Sequence, residues 1–503
     1  MKKIISFLSF LLIIAMISGI LISCGNNTAT EKTDAKPTVV DTSTDNDNQI
    51  AGEEATQEPQ DRIKPDVPED KDYEGYTFTF LAHRIGYAGD WVGDSDPREI
   101  IAEEQNSDPI NDAVYKRNLA IKEKYNIDIK MIPADDERSA MNKAVKAGDD
   151  IYDAVVMFNN NIPTIVTGGF LVNVDKLPYI DISQPWWDPA VNSMSIDHKN
   201  YLLGGDLLIL DNEATNVLLF NKNLMANLGI DLPYNLVKNG KWTMDKMNEM
   251  IKGAALDVDG DGAMGLNDRW GFGVFNDTLH ALLVSGGGAF AVKNEDDIPY
   301  MDFASQKNLA VLDKAMNLMY NPEYVNNQQA AGGLNHREIF EDNRMVFLWG
   351  RVFLVGYFRG MESNFGIVPL PKYDESQDKY YSLVNPYSGV LLGVPKSVQN
   401  LERSSIILEA LSAESKYTLR PAYYDLVLQR KYVRDDESGE MLDIIFDSKV
   451  YDIGGVYSFG DVFTKFNNLA AKQDRNIASF YEANSDKMTT SINKVVTAFQ
   501  TMD

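Results

Sequence analysis

Between Tyr76 and Phe158 the apolar period switches four times, and that alternation confines the chain to one class of fold. Tyr76 to Ala82 (YTFTFLA) alternates with the period of a strand. In the helix after it, Asp108 reads as the N-cap and Pro109 as the first turn, and Ile110, Ala113, Val114 and Ile121 recur on one face. Asn126 to Ile132 (NIDIKMI) is a second strand, and Glu137 to Lys146 is a polar helix ended by Gly148. Ile151 to Phe158 (IYDAVVMF) is a third strand, nearly continuous in apolar residues, as expected of a strand buried on both faces. Strands joined through helices in this way form a parallel α/β sheet with right-handed crossovers. Ligands in such sheets sit beyond the carboxyl ends of the strands, which directs attention to His83 and Arg84 after the first strand and to Asn159 and Asn160 after the third.

The α/β character continues. Asn216 to Met225 is a strand running into a turn, and Thr243 caps a helix whose first turn carries Asp245. Arg269 to Val274 is extended, and a helix from Thr278 is closed by the glycines at 286–288. A short helix, an Asn343 cap and a buried strand succeed one another in REIFEDNRMVFLWGR, and NFGIVPLP and SGVLLGVPK are two further strands. From Leu401 onward the chain reads mainly as helices, and no internal repeat stands out.

The 503 residues are enough for two or three domains' worth of core. A net charge of −27 excludes nucleic acid as a partner and docking on anionic headgroups. The single cysteine forbids an internal disulfide, and four scattered histidines leave little for a transition-metal site. That cysteine falls in LISC, Leu21 to Cys24, behind a basic start (Lys2, Lys3) and an apolar run from Ile4 to Ile22. The run is long enough to span a bilayer, so an uncleaved anchor is one reading. The other comes from LISC, which resembles the lipobox of bacterial lipoproteins. That resemblance implies a signal peptide over 1–23, lipidation of Cys24 and attachment to the outer face of the cell membrane by its acyl chains. The next stretch, 24–72, reads as a disordered acidic tether: its last 48 residues hold 13 acids, 5 bases and no aromatic side chain.

One short stretch has the ligand grammar of a calcium loop. DVDGDGAMGLND, Asp257 to Asp268, places acids at its first, third, fifth and twelfth positions and glycine at the sixth. A helix enters the loop but a strand leaves it, so the paired helices of a calcium sensor are absent. The expectation is a structural Ca²⁺ site, with Asp257, Asp259 and Asp261 giving side chains, Ala263 a carbonyl and Asp268 the closing carboxylate. A solvated acidic turn is the alternative.

The ordered string WWDPAV, HKNYLLGGD, NVLLFNKNLMANLGIDLPYNLVKNGKWTMDKM, DVDGDGAMGLNDRWGF and GIVPLP resembles the extracellular solute-binding proteins of ABC importers, in their sugar-type branch. The resemblance runs from Tyr73 to Lys396 and weakens beyond. It implies the type II periplasmic-binding fold: two α/β lobes on a hinge, closing over a ligand in the cleft. It further implies lobe one over 73–218, lobe two over 219–388, a return to lobe one over 389–424 and a helical part over 425–503 belonging mostly to lobe two. The implied crossings lie near Val217 to Asn221, near Gly389 to Val394 and around Tyr424. Trp349 and Arg351 lie where the family presents a lobe-two binding segment, and Asp277, Asn276 and Tyr387 are further positions of that kind. Asp211 and Glu213, before the first crossing, are candidates to accept sugar hydroxyls. Trp186 and Trp187 read as core or as a stacking platform, and Trp270 as packing under the acidic loop.

The function so implied is capture of a small solute, foremost a mono- or oligosaccharide, by a monomer that delivers it to an importer's membrane subunits. No catalytic signature is present: there is no G-x-S-x-G, H-E-x-x-H, P-loop or dinucleotide fingerprint. A surface glycosidase with a carboxylate pair, and a sensory lipoprotein serving a membrane receptor, stand as rivals.

Overall fold

The computed structural model describes residues 62–84, 98–330, 333–429 and 436–502. The expected signal segment, Cys24 and the tether as far as Asp61 lie outside the described residues. The chain begins with β1 (Tyr76–His83), α1 (Pro109–Tyr125), β2 (Ile127–Ala134), α2 (Glu137–Ala147), β3 (Ala154–Phe158) and α3 (Ile162–Thr167). It continues with β4 (Asn216–Asn221), β5 (Trp270–Val274), a hairpin of β6 (Ala291–Lys293) and β7 (Pro299–Met301), β8 (Val325–Asn327), β9 (Met345–Arg351) and β10 (Phe365–Val368). Short strands β11 (Ser382–Leu383), β12 (Val390–Gly393) and β13 (Lys449–Val450) come last, separated and flanked by the C-terminal helices.

Two sheets result. The first has the order β12-β3-β1-β2, with β2 and β3 parallel to β1 and β12 antiparallel at the edge. The second has the order β10-β4-β9-β5-β8, parallel across β9, β5 and β8 and antiparallel across β10, β4 and β9. Local chemistry sets the element ends. Asp108 accepts the Ile110 and Asn111 amides at 3.0 Å, and Asn126 ends α1 in the left-handed region. Gly148 takes φ 70° after α2, a conformation glycine adopts without strain.

Period-two alternation then builds a sheet covered on both faces. Val156 and Phe158 of β3 join Phe78, Phe80 and the helix Leu401–Tyr417 in one core, while Val155 and Met157 join Leu81, Ile162 and Phe499 in another. A larger core surrounds the second sheet.

The crossings are visible as hydrogen bonds. The Asn385 amide donates to the Ala214 carbonyl at 3.0 Å, and Thr215 bridges Val384 in antiparallel fashion. The first crossing is therefore at Ala214–Thr215, since Asn216 already belongs to the second sheet. The last falls at Thr418, between the helices Leu401–Tyr417 and Leu419–Gln429, because Leu419 and Tyr423 sit in the core of the second sheet. The C-terminal helix Ile477–Thr501 is shared: Ile477 and Met488 pack with the second sheet, and Ile492, Val495 and Phe499 with the first.

These crossings fall a few residues before the expected Val217 to Asn221 and Tyr424, and the end of the expected tether is corrected as well. Residues 62–72, expected in the tether, belong to the folded body: Val67 is buried, Arg62 pairs with Glu414 at 3.2 Å and Lys71 with Glu402 at 2.7 Å. Arg62, the Ile63 amide and Lys71 all meet groups on the helix Leu401–Tyr417, which holds this segment to the body.

That helix also carries Glu409, whose carboxylate accepts the indole N–H groups of Trp186 at 3.0 Å and Trp187 at 2.8 Å. Burial pushes its carboxyl from an ordinary 4.5 up to about 7, against the pull of those donors. The protonated group's stabilising contribution is complete below pH 4.5 and is lost as pH rises through 7. Glu409→Gln cannot ionise. The stability difference between variant and native protein therefore grows in the variant's favour by about 2 kcal/mol from pH 5 to pH 8. Urea titrations at the two pH values read this directly, and a flat or falling difference would return Glu409 to the ordinary carboxyl range.

Candidate functional site

A cavity of 810 Å³ opens between the two sheets, and its walls come from the ends of elements on both sides. On the first side stand His83 at the end of β1, Asp135, Asp136 and Arg138 at the β2–α2 turn, and Phe158, Asn160 and Asn161 after β3. On the second side stand Asn276 and Asp277 after β5, Gln329 after β8 and Arg351 at the end of β9. Asn385, Tyr387 and Ser388 of the return crossing form the floor, and Phe463, Asn467 and Asn468 come from the helix Val462–Ala471. Carboxyl ends of strands gather loops and helix starts at one edge, which explains why so many polar side chains meet there.

Seven of the lining side chains are carboxamides: Asn160, Asn161, Asn276, Gln329, Asn385, Asn467 and Asn468. Each offers a donor and an acceptor without charge. Asn467 Oδ1 is buried and has no hydrogen-bond partner among the described residues. Three aromatic rings accompany them, those of Phe158, Phe463 and the exposed Tyr387.

Charge in the cleft is paired. Arg351 lies 3.4 Å from Asp277 Oδ2, and Asn385 Nδ2 donates to the same oxygen at 3.4 Å. Burial raises the Asp277 carboxyl, with the Arg351 guanidinium pulling it back, and burial likewise lowers Arg351. Arg138 pairs with Asp136 at 3.1 Å.

Of the nine side chains expected to meet a ligand, Asn160, Asp277, Arg351 and Tyr387 are brought together here. The other five lie elsewhere, each for a physical reason. Arg84 turns to solvent and to Asp135 at 3.6 Å. Asn159 lies behind the wall, donating through Nδ2 to the Asn385 carbonyl at 3.3 Å and through its amide to Gly389 at 2.7 Å, so that it fastens β3 to the return crossing. Asp211 is fully buried and held by Lys449 at 2.8 Å. Glu213 is taken by Arg98 at 2.7 Å. Trp349 shares the face of Arg351 two residues earlier on β9, which leaves it inside the core, edge-on to Phe275 at 5.9 Å.

Asp135 and Asp136 come directly after β2 and could have been found by the strand-end rule applied to the first and third strands. Gln329 likewise follows a strand, β8, whereas Asn467 and Asn468 sit on a helix and carry no such signal, since tertiary packing alone delivers them. Trp186 and Trp187 are core, buried on Glu409.

The acidic loop lies apart from this cleft, between the helix Met244–Ala254 and β5. Asp257, Asp259 and Asp261 offer carboxylate oxygens all within 4.8 Å of one another. Backbone amides organise them: Asp257 accepts from Gly260 at 2.7 Å and Gly262 at 2.9 Å, and Asp261 from Ala263 at 2.8 Å. Three side chains thus fit a hard cation. Asp268 does not join them. Its two oxygens accept the Gly265 amide at 2.6 Å and the Val258 amide at 2.7 Å, bonds that lower its carboxyl and make it a strut inside the loop. Trp270 packs beneath, its indole donating to the Gly265 carbonyl at 3.0 Å.

No family model and no curated protein matches the sequence. Solved structures do resemble it in three dimensions. The sugar-binding protein MalE from Xanthomonas citri aligns with a TM-score of 0.57 at 13% identity, over 85% of this chain and 100% of that one. UspC from M. tuberculosis gives 0.55 at 13% identity, over 82% and 99%. The ABC substrate-binding protein Lmo0181 from Listeria monocytogenes, in complex with cycloalternan, gives 0.53 at 13% identity, over 83% and 99%. The chain has their fold, two α/β lobes of the periplasmic-binding type, across nearly the whole length of each.

Proposed function

We propose that this protein is a lipid-anchored, extracytoplasmic solute-binding protein that captures a mono- or oligosaccharide by lobe closure and delivers it to an ABC importer. The observation that carries the reading is the composition of the cleft. Carboxamides match sugar hydroxyls, which donate and accept at once, and rings from both sides offer faces for C–H surfaces. A cavity of 810 Å³ has room for a compact solute, and such sites are built largely in advance of binding. The cleft's formal charges nearly balance, with Asp135, Asp136 and Asp277 against Arg138 and Arg351, which suits a neutral ligand. MalE is described as sugar-binding and the Listeria protein holds cycloalternan, and both favour the same class of cargo here.

The sequence supports the anchor, through Cys24 in its LISC setting. No helix among the described residues is long and apolar enough to cross a membrane. Membrane subunits of an importer are the partners this role requires, and a single chain suffices to form the cleft. We further propose that Asp257, Asp259 and Asp261 hold a structural Ca²⁺, with the Ala263 carbonyl as a further ligand, in place of the five-residue set that included Asp268.

Thermal unfolding against a panel of neutral mono- and oligosaccharides tests the main reading. A sugar at a hundred times its Kd adds about 2.7 kcal/mol to the folded state and raises the midpoint. Recovery of the sugar intact separates binding from glycosidase action, and a panel without any shift would remove the carbohydrate assignment. Asn160→Ala, at an exposed cleft position, weakens the bound sugar by roughly fivefold to tenfold, the value of one hydrogen bond, while the sugar-free midpoint stays in place.

Calcium is tested separately. At a hundred times its Kd it raises the sugar-free midpoint by the same linkage, and Asp259→Ala abolishes that rise without changing sugar affinity. Equal midpoints in calcium and in chelator would leave the loop a solvated turn.

A further inference from the structure

β5 and β8 run parallel and pair Val274 with Asn327, so the chain leaves both strands at one edge of the second sheet. Three carboxamides lie there: Asn276 just after β5, Asn327 as the last residue of β8, and Gln329 just after it. Asn276 and Gln329 line the cleft, whereas Asn327 is buried beside them and does not.

A side-chain amide has a donor end and an acceptor end, and the end that faces the cavity decides what it recognises. Backbone groups settle the matter at this edge, because a backbone N–H can only donate. The Asn276 backbone N–H donates to Gln329 Oε1 at 2.9 Å, which leaves Nε2 as the other end of that side chain. The Gln329 backbone N–H donates to Asn327 Oδ1 at 3.1 Å, so Asn327 turns Nδ2 to its neighbour and donates to Asn276 Oδ1 at 3.0 Å. The oxygens of both cleft-lining amides are thus engaged within the relay. Asn276 Nδ2 and Gln329 Nε2 have no acceptor among the described residues. The nearby Asp277 Oδ2 is held by Arg351 and Asn385, both at 3.4 Å.

We propose that Asn276 and Gln329 form a donor subsite on the second lobe's wall, and that Asn327 is the positioning residue that sets it. Such a subsite takes an oxygen lone pair of the cargo: a hydroxyl as acceptor, or a ring or glycosidic oxygen. It rejects an ammonium group at the same place, which has protons but no lone pair. The inference rests on the carbohydrate reading for the identity of the cargo, and on the hydrogen bonds alone for the orientation of the amides.

Two measurements on the full chain keep these apart. The first uses no ligand. In protein labelled with ¹⁵N at asparagine and glutamine side chains, the three amide signals are identified by their loss in Asn276→Asp, Asn327→Asp and Gln329→Glu. The Asn276 and Gln329 NH₂ groups exchange protons with water fast, and the buried, donating Asn327 NH₂ slowly. In Asn327→Asp the Asn276 amide turns to donate to the new carboxylate, and its exchange slows. Native Asn276 or Gln329 protected as strongly as Asn327 overturns the proposal, and that result needs no variant beyond the assignment.

The second measurement is affinity within a neutral sugar panel that includes glucose, maltose and maltotetraose. Gln329→Glu keeps the bond from the Asn276 amide but replaces a donor with an acceptor. Asn327→Asp removes no atom that lines the cleft, yet makes Asn276 present its oxygen. Each weakens whichever sugar binds the native protein by about tenfold, while the sugar-free midpoint moves by only a few degrees. A purely structural Asn327 would shift the midpoint and leave the affinity alone, and unchanged affinity in the two folded variants overturns the proposal. A panel silent against the native protein defeats the carbohydrate reading instead, and the exchange rates then decide the orientation of the subsite by themselves.

Discussion

Asn385 ties the two halves of the molecule to the cleft between them. Its amide bonds the Ala214 carbonyl in the outgoing crossing at 3.0 Å, and its own carbonyl accepts from Asn159 Nδ2 at 3.3 Å and the Gly389 amide at 2.9 Å. Its side-chain oxygen accepts the Tyr387 and Ser388 amides at 3.0 Å, and its side-chain nitrogen donates to Asp277 at 3.4 Å. One residue thus holds the end of β3 in the first lobe, the acid after β5 in the second, and the tight turn that carries Tyr387 and Ser388 into the cavity. Its backbone amide and carbonyl and both polar atoms of its side chain are engaged within buried structure, where an unsatisfied polar group costs about 1–3 kcal/mol.

Much of the fold could be read in advance because local rules and global packing agree where β1, α1, β2, α2 and β3 alternate. Period-two and helical patterns placed these elements, and continuous apolar runs marked β3 and β9 as covered on both faces. The strand-end rule also found part of the site, through Asn160 and Arg351. The hidden part depends on partners far along the chain. Asp211 and Glu213 lie in the right region, beside the crossing, but Lys449 and Arg98 capture them, and nothing local announces which cation will arrive. Trp349 and Arg351 show the same limit on a smaller scale: they face the same way, yet only the last residue of the strand reaches past the sheet edge. Asn385 itself reads as ordinary turn material, and Asn467 and Asn468 fall in a stretch that reads only as helix.

Electrostatics separate the cleft from the surface around it. The chain carries a net charge of −27, yet the groups that line the cavity are paired or neutral. The outer field therefore repels polyanions at long range, while the site itself offers hydrogen bonds more than charge. Arg351 is the exception, a guanidinium buried at the end of β9 with Asp277 beside it at 3.4 Å. Such a pair gives little net stability once both charges are desolvated. Its place at the cleft suits it to hold a bidentate hydrogen-bonding face in a fixed orientation.

Stability and binding are consequently assigned to different parts of the sequence. The three apolar cores are made from strand interiors and helix faces, and they fix where the strand ends lie. The cleft is made from the loops and helix starts beyond those ends, where substitutions alter polar contacts without opening cavities in a core. Glu137 and Asn385 are the points at which the two assignments meet. Both are buried like core residues, yet their hydrogen bonds are given to groups that face the cavity. Two such buried residues thus hold groups that line the cavity, Glu137 through His83 and Asn161 and Asn385 through Asp277.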